Sequence, residues 1–305
     1  MFSVVVPNYN GLHFLKEVIG SMTNDESRPK VEDKLEVIVV DNGSTDNSVE
    51  YLSRPKVGDK IKVIKNDFNL GFAGAVNQGI KAAENDWVVV MNNDVRIEKD
   101  WFGKIKKELS RPEVEDEQVG CLFGKVLDWE GERIESVGLD FEIRGKSKNI
   151  GNGEDDIDNY NQSQFIWGAP ASIVVYRRKA LKDVGYFDED FFAYLEDVDL
   201  AIRLNDKGWR TLYVPKAISS HYGGGTADKF SGWRQKYTAR NWWYIIVKHY
   251  PVGLFLSHLP EILIEQAKNF FGIKGFANKF WVIKEFVVNF KKIWKKRKPK
   301  ELGAS

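Results

Sequence analysis

Cysteine is almost missing from this chain: one, Cys121, among 305 residues. That excludes an internal disulfide framework and any multi-cysteine metal site, and it fits a reducing compartment. Long hydrophobic runs are missing as well. No window approaches the roughly 18 uninterrupted apolar residues that cross a bilayer. The opening "MFSVVVPNYN" has no basic n-region and its apolar run stops at Pro7, so no secretory signal is expected there. Internal repeats are absent, and the only biased segment is the Lys-rich end. Net charge is nearly absent too, at +1. What is present is an ordinary globular composition, 43% hydrophobic and 29% charged, long enough for one large domain or two modest ones. It carries ten tryptophans, which crowd toward the C-terminus.

The near-zero charge hides an asymmetry. Residues 228–305 hold 16 Lys and Arg against 5 Asp and Glu, so the rest of the chain is acidic. A basic, aromatic tail behind an acidic body implies two parts, expected to divide at 227/228.

The first part alternates strands with helices. "FSVVVP" (2–7), 35–40, 60–66 and 86–94 are β-branched runs that predict buried strands; 12–22, a stretch from about Asp46, 72–83 and 98–109 have helical apolar spacing. That order predicts parallel βαβ units, with helices covering the sheet. Ligands of such sheets bind beyond the carboxyl ends of the strands, so loops 7–11, 41–46 and 92–94 should converge on one crevice. From 119 to 175 the chain reads as further strands with glycine-rich turns, and 151–164 as a mobile surface loop too polar for a core. A helix over 191–206 and a strand over 211–215 follow.

Three stretches can carry chemistry. In "VVDNGSTDNS", Asp41 ends a buried strand, where a carboxylate can take a base or ribose, while Asp46 suits a helix N-cap. In "VVVMNNDV", a strand runs into Asn92, Asn93 and Asp94: either a plain turn, or a hard oxygen ligand for Mg2+ or Mn2+ on a diphosphate. In "NLGFAGAVNQGI", small residues permit close backbone approach at a helix N-terminus, although the glycine spacing is not that of a dinucleotide fingerprint and Gly79 equally suits tight helix packing.

Taken together and in order, "VVVPNYNG", "VIVVDNGSTDNS", "NLGFAGAVNQGI", "VVVMNNDV", "WGAPASIVVYRRKALKDVGYFDEDFFAYLEDVDLAIRLNDKGWRTLYVP" and "HYGGGT" closely resemble family 2 glycosyltransferases, nearest the rhamnosyltransferase-like branch, over about residues 2–226. The resemblance implies an α/β GT-A fold with a mixed sheet flanked by helices, a nucleoside-diphosphate sugar donor of UDP or dTDP type, a divalent cation and inversion at the anomeric carbon. By position it places Pro7, Tyr9, Asp41, Asn69, Gly71, Asn92 and Asn93 at the nucleotide and donor, Asp94 and His221 at the metal, and Asp197 as general base with Glu196 beside it at the acceptor. Trp167, Gly168 and Ala169 are expected at an acceptor or sugar pocket. Where the common metal motif has its first acid this chain has Asn92, which lowers the charge of the site. Asp199, two positions after Asp197, points elsewhere around the helix and is expected to be structural or metal-proximal, paired with Arg203 at i+4. An inactive nucleotide-sugar-binding protein or a nucleotidyltransferase are the rival readings.

Residues 228–298 read as amphipathic helices with lysine opposite the apolar face. They either cap the body or lie on an anionic membrane surface, at the cytoplasmic face if the acceptor is a glycan or lipid-linked. Nucleic acid is not an expected partner, since no recognition module accompanies the charge.

Overall fold

The computed structural model describes residues 1–23, 35–58, 61–112, 114, 118–155, 160–223 and 232–297. Its strands are β1 (Phe2–Asn8), β2 (Glu36–Asp41), β3 (Lys62–Lys65), β4 (Trp87–Met91), β5 (Val95–Ile97), β6 (Val119–Leu127), β7 (Ile134–Ser136), β8 (Leu139–Glu142), β9 (Lys146–Asn149), β10 (Gln164–Ile166), β11 (Ile173–Arg177) and β12 (Arg210–His221). Its helices are α1 (Leu12–Thr23), α2 (Ser48–Leu52), α3 (Pro55–Gly58), α4 (Gly71–Ala82), α5 (Trp101–Leu109), α6 (Arg178–Val184), α7 (Glu196–Asp206), α8 (Trp233–His249), α9 (Val252–Ser257), α10 (Leu259–Phe271) and α11 (Phe276–Lys295).

Ten strands form one sheet, its main path ordered β10-β12-β6-β11-β4-β1-β2-β3. The expected βαβ half is there: β1 pairs in parallel with both β2 and β4, and β2 with β3. The valine runs of β1, β2 and β4 lie in the core because helices cover both their faces. β11 then enters antiparallel between β4 and β6, which makes the sheet mixed. Gly79 shows how closely α4 sits on β1: a β-carbon there would collide with Val5.

Two expectations need correction. The helix expected over 191–206 begins only at Glu196. A short 3-10 turn (Glu189–Phe191) precedes it, and Phe192, Tyr194 and Leu195 have φ of 65°, 68° and 65°. These residue types belong in helices by propensity, so tertiary contacts override the local preference. The strand expected over 211–215 runs from Arg210 to His221, with irregular register between Val214 and Ile218. That extra length carries His221 to the same end of the sheet as Asp94.

The stretch 221–231, which holds the expected division at 227/228, is described only through Gly223, and part of the expected loop 151–164 (156–159) also lies outside the described residues. Beyond it, α8 buries Trp242, Tyr244, Ile245 and Ile246 together with Leu139, Phe191, Val198 and Ile202 of the body. The C-terminal helices therefore share a core with α7, as the capping reading expects.

Candidate active site

The strand-end loops meet through side-chain amides. Asn8, at the end of β1, donates to Asp41 Oδ2 (3.0 Å) and accepts from Asn93 Nδ2 (2.8 Å). Asn42 donates to Asn69 Oδ1 (2.9 Å) and to the Gly71 carbonyl (3.0 Å), and accepts from the Leu70 N–H. These ties bring 8, 41–42, 69–71 and 93 into one crevice at the carboxyl ends of β1, β2 and β4. They also show what each of these residues touches. Asp41 is 1% exposed, and its other oxygen takes the Ser44 N–H, so its carboxylate ties the loop together. Asn93 is buried and spent on Asn8. Gly71, at φ 78°, is packed closely: the Phe192 carbonyl and ring fill the place of a β-carbon, and its N–H donates to Asn69 Oδ1. Pro7, Tyr9 and Asn92 are partly exposed on the crevice side of these ties.

Asp94 and His221 come together from β4 and β12, with Oδ1 and Nε2 3.2 Å apart. His221 Nδ1 lies 2.8 Å from Glu135 Oε1. Burial opposes a charge on the ring, but hydrogen bonds to Asp94 and Glu135 win and raise its pKa to about 10. The same negative surroundings suit a cation. A carboxylate oxygen and an imidazole nitrogen are ligands for Mg2+ or Mn2+, and Glu135, behind the ring, fixes which nitrogen faces Asp94. Among the described residues no three His, Cys, Asp or Glu side chains form a metal-holding group. The residues present thus fit a cation that takes two protein ligands and completes its shell with diphosphate oxygens and water. Glu135 was invisible in the sequence, because nothing in "RIESV" marks it until β7 folds beside β12.

Glu196 and Asp197 open α7. Asp197 accepts the N–H groups of Val198 (2.8 Å) and Ala171 (3.2 Å). The next residue, Ser172, accepts the Asn92 N–H (2.8 Å), so two short links join Asp197 to the metal-site loop. Burial raises the Asp197 carboxyl, and these backbone N–H groups pull it back. Glu196 is 6% exposed with Oε2 unpartnered, and burial plus the neighbouring Asp197 hold its carboxyl well above the usual range. Burial weighs on both carboxyls, more on Glu196 than on Asp197, whose backbone N–H partners favour its ionised form.

Asp199 has a different task. It is fully buried and meets Lys248 Nζ (2.5 Å), His249 Nε2 (2.8 Å) and Arg203 Nε (2.9 Å). After the cost of burial, Lys248 and then Arg203 set the balance and hold its carboxyl well below the ordinary value. The expected pairing with Arg203 is present, and the remaining partners, Lys248 and His249, lie on α8. Of the expected acceptor residues, Trp167 stacks on Phe141 (5.1 Å between rings). Gly168 and Ala169 are closely packed: a β-carbon on Gly168 would press on Ala201 of α7 (2.8 Å), and Ala169 is buried.

A family model described as Glycosyl transferase family 2 matches residues 3–185. The chain is 28% identical over 241 residues to the N-acetylglucosaminyl-diphospho-decaprenol L-rhamnosyltransferase of Mycobacterium tuberculosis, covering 72% of this chain and 75% of that one. It is 27% identical over 195 residues to the poly-beta-1,6-N-acetyl-D-glucosamine synthase of Staphylococcus aureus, covering 61% of this chain and 42% of the synthase. Among solved structures, S. aureus TarS 1–349 aligns with a TM-score of 0.52 at 20% identity, over 95% of this chain and 72% of that one. GalNAc-T7 with UDP, GalNAc and Mn2+ aligns with a TM-score of 0.62 at 14% identity, over 96% of this chain and 57% of that one. The mannosyltransferase PcManGT of Pyrobaculum calidifontis, in complex with GDP-Man and Mn2+, aligns at 0.55 and 17% identity, over 96% of this chain and 81% of that one. At these identities the likeness shows the fold, the GT-A arrangement expected above.

Proposed function

The chain belongs to glycosyl transferase family 2, and from that premise we propose that this glycosyltransferase inverts the anomeric carbon of a nucleoside-diphosphate sugar, rhamnose among the candidate sugars, while passing it to a glycan or lipid-linked acceptor. The observation that carries the reading is the pairing of two unlike centres across one crevice. Asp94 lies beside His221, and Asp197, at the start of α7, is joined to the Asn92–Asp94 turn through Ala171 and Ser172.

The acceptor hydroxyl attacks the anomeric carbon from the face opposite the diphosphate. The new C–O bond forms as the bond to the phosphate oxygen breaks, and the nucleoside diphosphate leaves with the electron pair. Asp197 takes the hydroxyl proton, which needs heavy-atom separations of about 3 Å and a rigid mount. Its two backbone N–H bonds supply that mount. Asp94 and His221 are the residues that would hold the divalent cation, whose chemistry is to offset charge on the departing phosphate. The rhamnosyltransferase relative, which acts by name on a diphospho-decaprenol acceptor, favours a lipid-linked acceptor here. The test is to incubate the protein with UDP-, dTDP- and GDP-sugars, with and without Mn2+, and to identify the products. Release of nucleoside diphosphate is expected. Release of pyrophosphate would instead mark a nucleotidyltransferase, and no turnover a binding protein.

The second part of the reading concerns location. No helix among the described residues is long and apolar enough to cross a membrane. On α11, Phe276, Phe280, Ile283, Val287, Phe290 and Trp294 follow a 4-3-4-3-4 spacing and are 40% to 84% exposed. Lys279, Lys284, Lys291 and Lys295 flank them. An apolar stripe edged by lysine suits an anionic bilayer surface, with the helix lying in the interface. This supports peripheral attachment at the inner face of the cell membrane. Burying one such side chain contributes about 1.5–3 kcal/mol. Phe280→Ser with Val287→Ser is therefore expected to weaken sedimentation with anionic vesicles by at least about tenfold. Unchanged sedimentation, or a shift in oligomeric state alone, would show that another surface covers the stripe.

A further inference from the structure

The loop entering α7 is unusual in its backbone and in what holds it. Phe192, Tyr194 and Leu195 all sit at positive φ, a region that side chains other than glycine, asparagine and aspartate seldom adopt. Such a conformation persists only where its surroundings over-determine it. Here they come chiefly from the far end of the chain. The Asn241 side chain, 0% exposed, donates through Nδ2 to the carbonyls of Phe191 (3.0 Å), Ala193 (2.9 Å) and Tyr194 (2.6 Å). Arg240 adds bonds to the carbonyls of Asp190 (3.1 Å) and Phe191 (2.7 Å). One helical repeat later, Lys248 bridges Asp188 (2.7 Å), before the loop, to Asp199 (2.5 Å), after it. Asn241 and Lys248 are seven residues apart on α8, so they share one face. The loop and both flanks are thus gripped by one side of one helix, and the residue directly downstream of the grip is the Glu196–Asp197 pair.

We infer that Asn241 and Lys248 are positioning residues for the reaction: Asn241 holds the carbonyls of the left-handed loop, Lys248 fixes Asp188 and Asp199 on either side, and together they aim Asp197 at the acceptor hydroxyl. The extension from α8 onward is then part of the catalytic apparatus as well as a cap. This rests on reading Asp197 as the base, and it predicts a specific kinetic pattern. Asn241 bonds to the loop before α7 and meets the 69–71 segment only through Phe192, whereas proton removal depends directly on the aim of Asp197. Loss of the grip lowers kcat and leaves donor affinity in place.

The experiment uses the full chain. Asn241→Leu keeps similar volume and removes the donors. It is expected to lower kcat by about 10- to 100-fold, with donor KM and the stoichiometry of donor binding within about twofold of the parent. Lys248→Met should act in the same direction, and Lys248→Arg, which keeps the charge, should recover most of the loss. In an Asp197→Asn background, Asn241→Leu should cost less than about twofold more, because its effect runs through a group already removed. A merely structural role predicts the opposite: fewer donor-binding sites with normal turnover per site, and losses that multiply in the double variant. Either result overturns the inference. Where the leucine variant does not fold, Asn241→Ser, which keeps one donor and adds no bulk, carries the same test with an expected loss of about threefold or more. If Asp197→Asn is inactive while Asn241→Leu turns over normally per site, the positioning role falls and the base assignment stands. Near-normal turnover by Asp197→Asn overturns both.

Discussion

Asp197→Asn is expected to lower kcat by about 10²- to 10⁴-fold, the usual contribution of a positioned general base, with donor KM little changed. The amide fills the same space and can keep the N–H bond from Ala171 by its oxygen, so the crevice wall survives while the proton acceptor is lost. Glu196 is not a substitute. Its carboxyl is buried with one oxygen unpartnered, and desolvation favours its neutral form. The parent enzyme should show a matching acid limb. Burial sets the Asp197 carboxyl above its ordinary value, so the active, ionised form is lost as pH falls through a pKa higher than that of a free aspartate. kcat/KM measured between about pH 4 and 8 should rise through that limb, since free aspartate titrates near 3.9. A flat profile together with an active Asp197→Asn would remove the residue from the mechanism.

Asp199→Asn should be the most damaging substitution for stability. Asp199 is the shared countercharge of Lys248 and Arg203 and an acceptor for His249, with Lys248 and His249 closed off from water and Arg203 partly so. Neutralising it leaves Lys248 with Asp188 alone. Breaking a buried pair of this kind costs about 3–5 kcal/mol, a fall in Tm on the order of 10 °C in a chain of this size. Its folded carboxyl lies well below the unfolded value near 3.9. The stabilisation is therefore fully present above that unfolded value and disappears as pH drops through the folded one. Thermal melts between about pH 6 and 2 should show a steeper acid loss in the parent than in Asp199→Asn. Parallel curves would mean that Asp199 contributes little.

The valine-rich strands were legible in the sequence because a strand buried on both faces leaves few alternatives. The placement of polar loops at their carboxyl ends was legible for the same reason, since topology alone brings those ends together. The individual roles were less so. Asp41 and Asn93 each bond to Asn8 of another loop, and that neighbour is set by folding. Glu135 reaches His221 across 86 positions, a distance that no local pattern encodes. The start of α7 was misread because phenylalanine, tyrosine and leucine give no local hint of positive φ. One signal could have been used: in "RNWWYIIVKHY" the polar residues Arg240, Asn241, Lys248 and His249 flank an aromatic and aliphatic run. Polar groups buried on one helical face require partners, and here the partners were the loop and the acid of α7.

The seat of Phe192 against Gly71 limits how this enzyme could be re-engineered. A graft of the 69–74 segment from a transferase with another sugar preference would bring any bulkier residue at 71 against a main-chain oxygen with little room to retreat, because the Phe192 ring is itself stacked on Tyr237 and met edge-on by Trp233. Swaps of donor preference would have to be transplanted as a three-part module, with the aromatic lining of the terminal helices travelling alongside both loops.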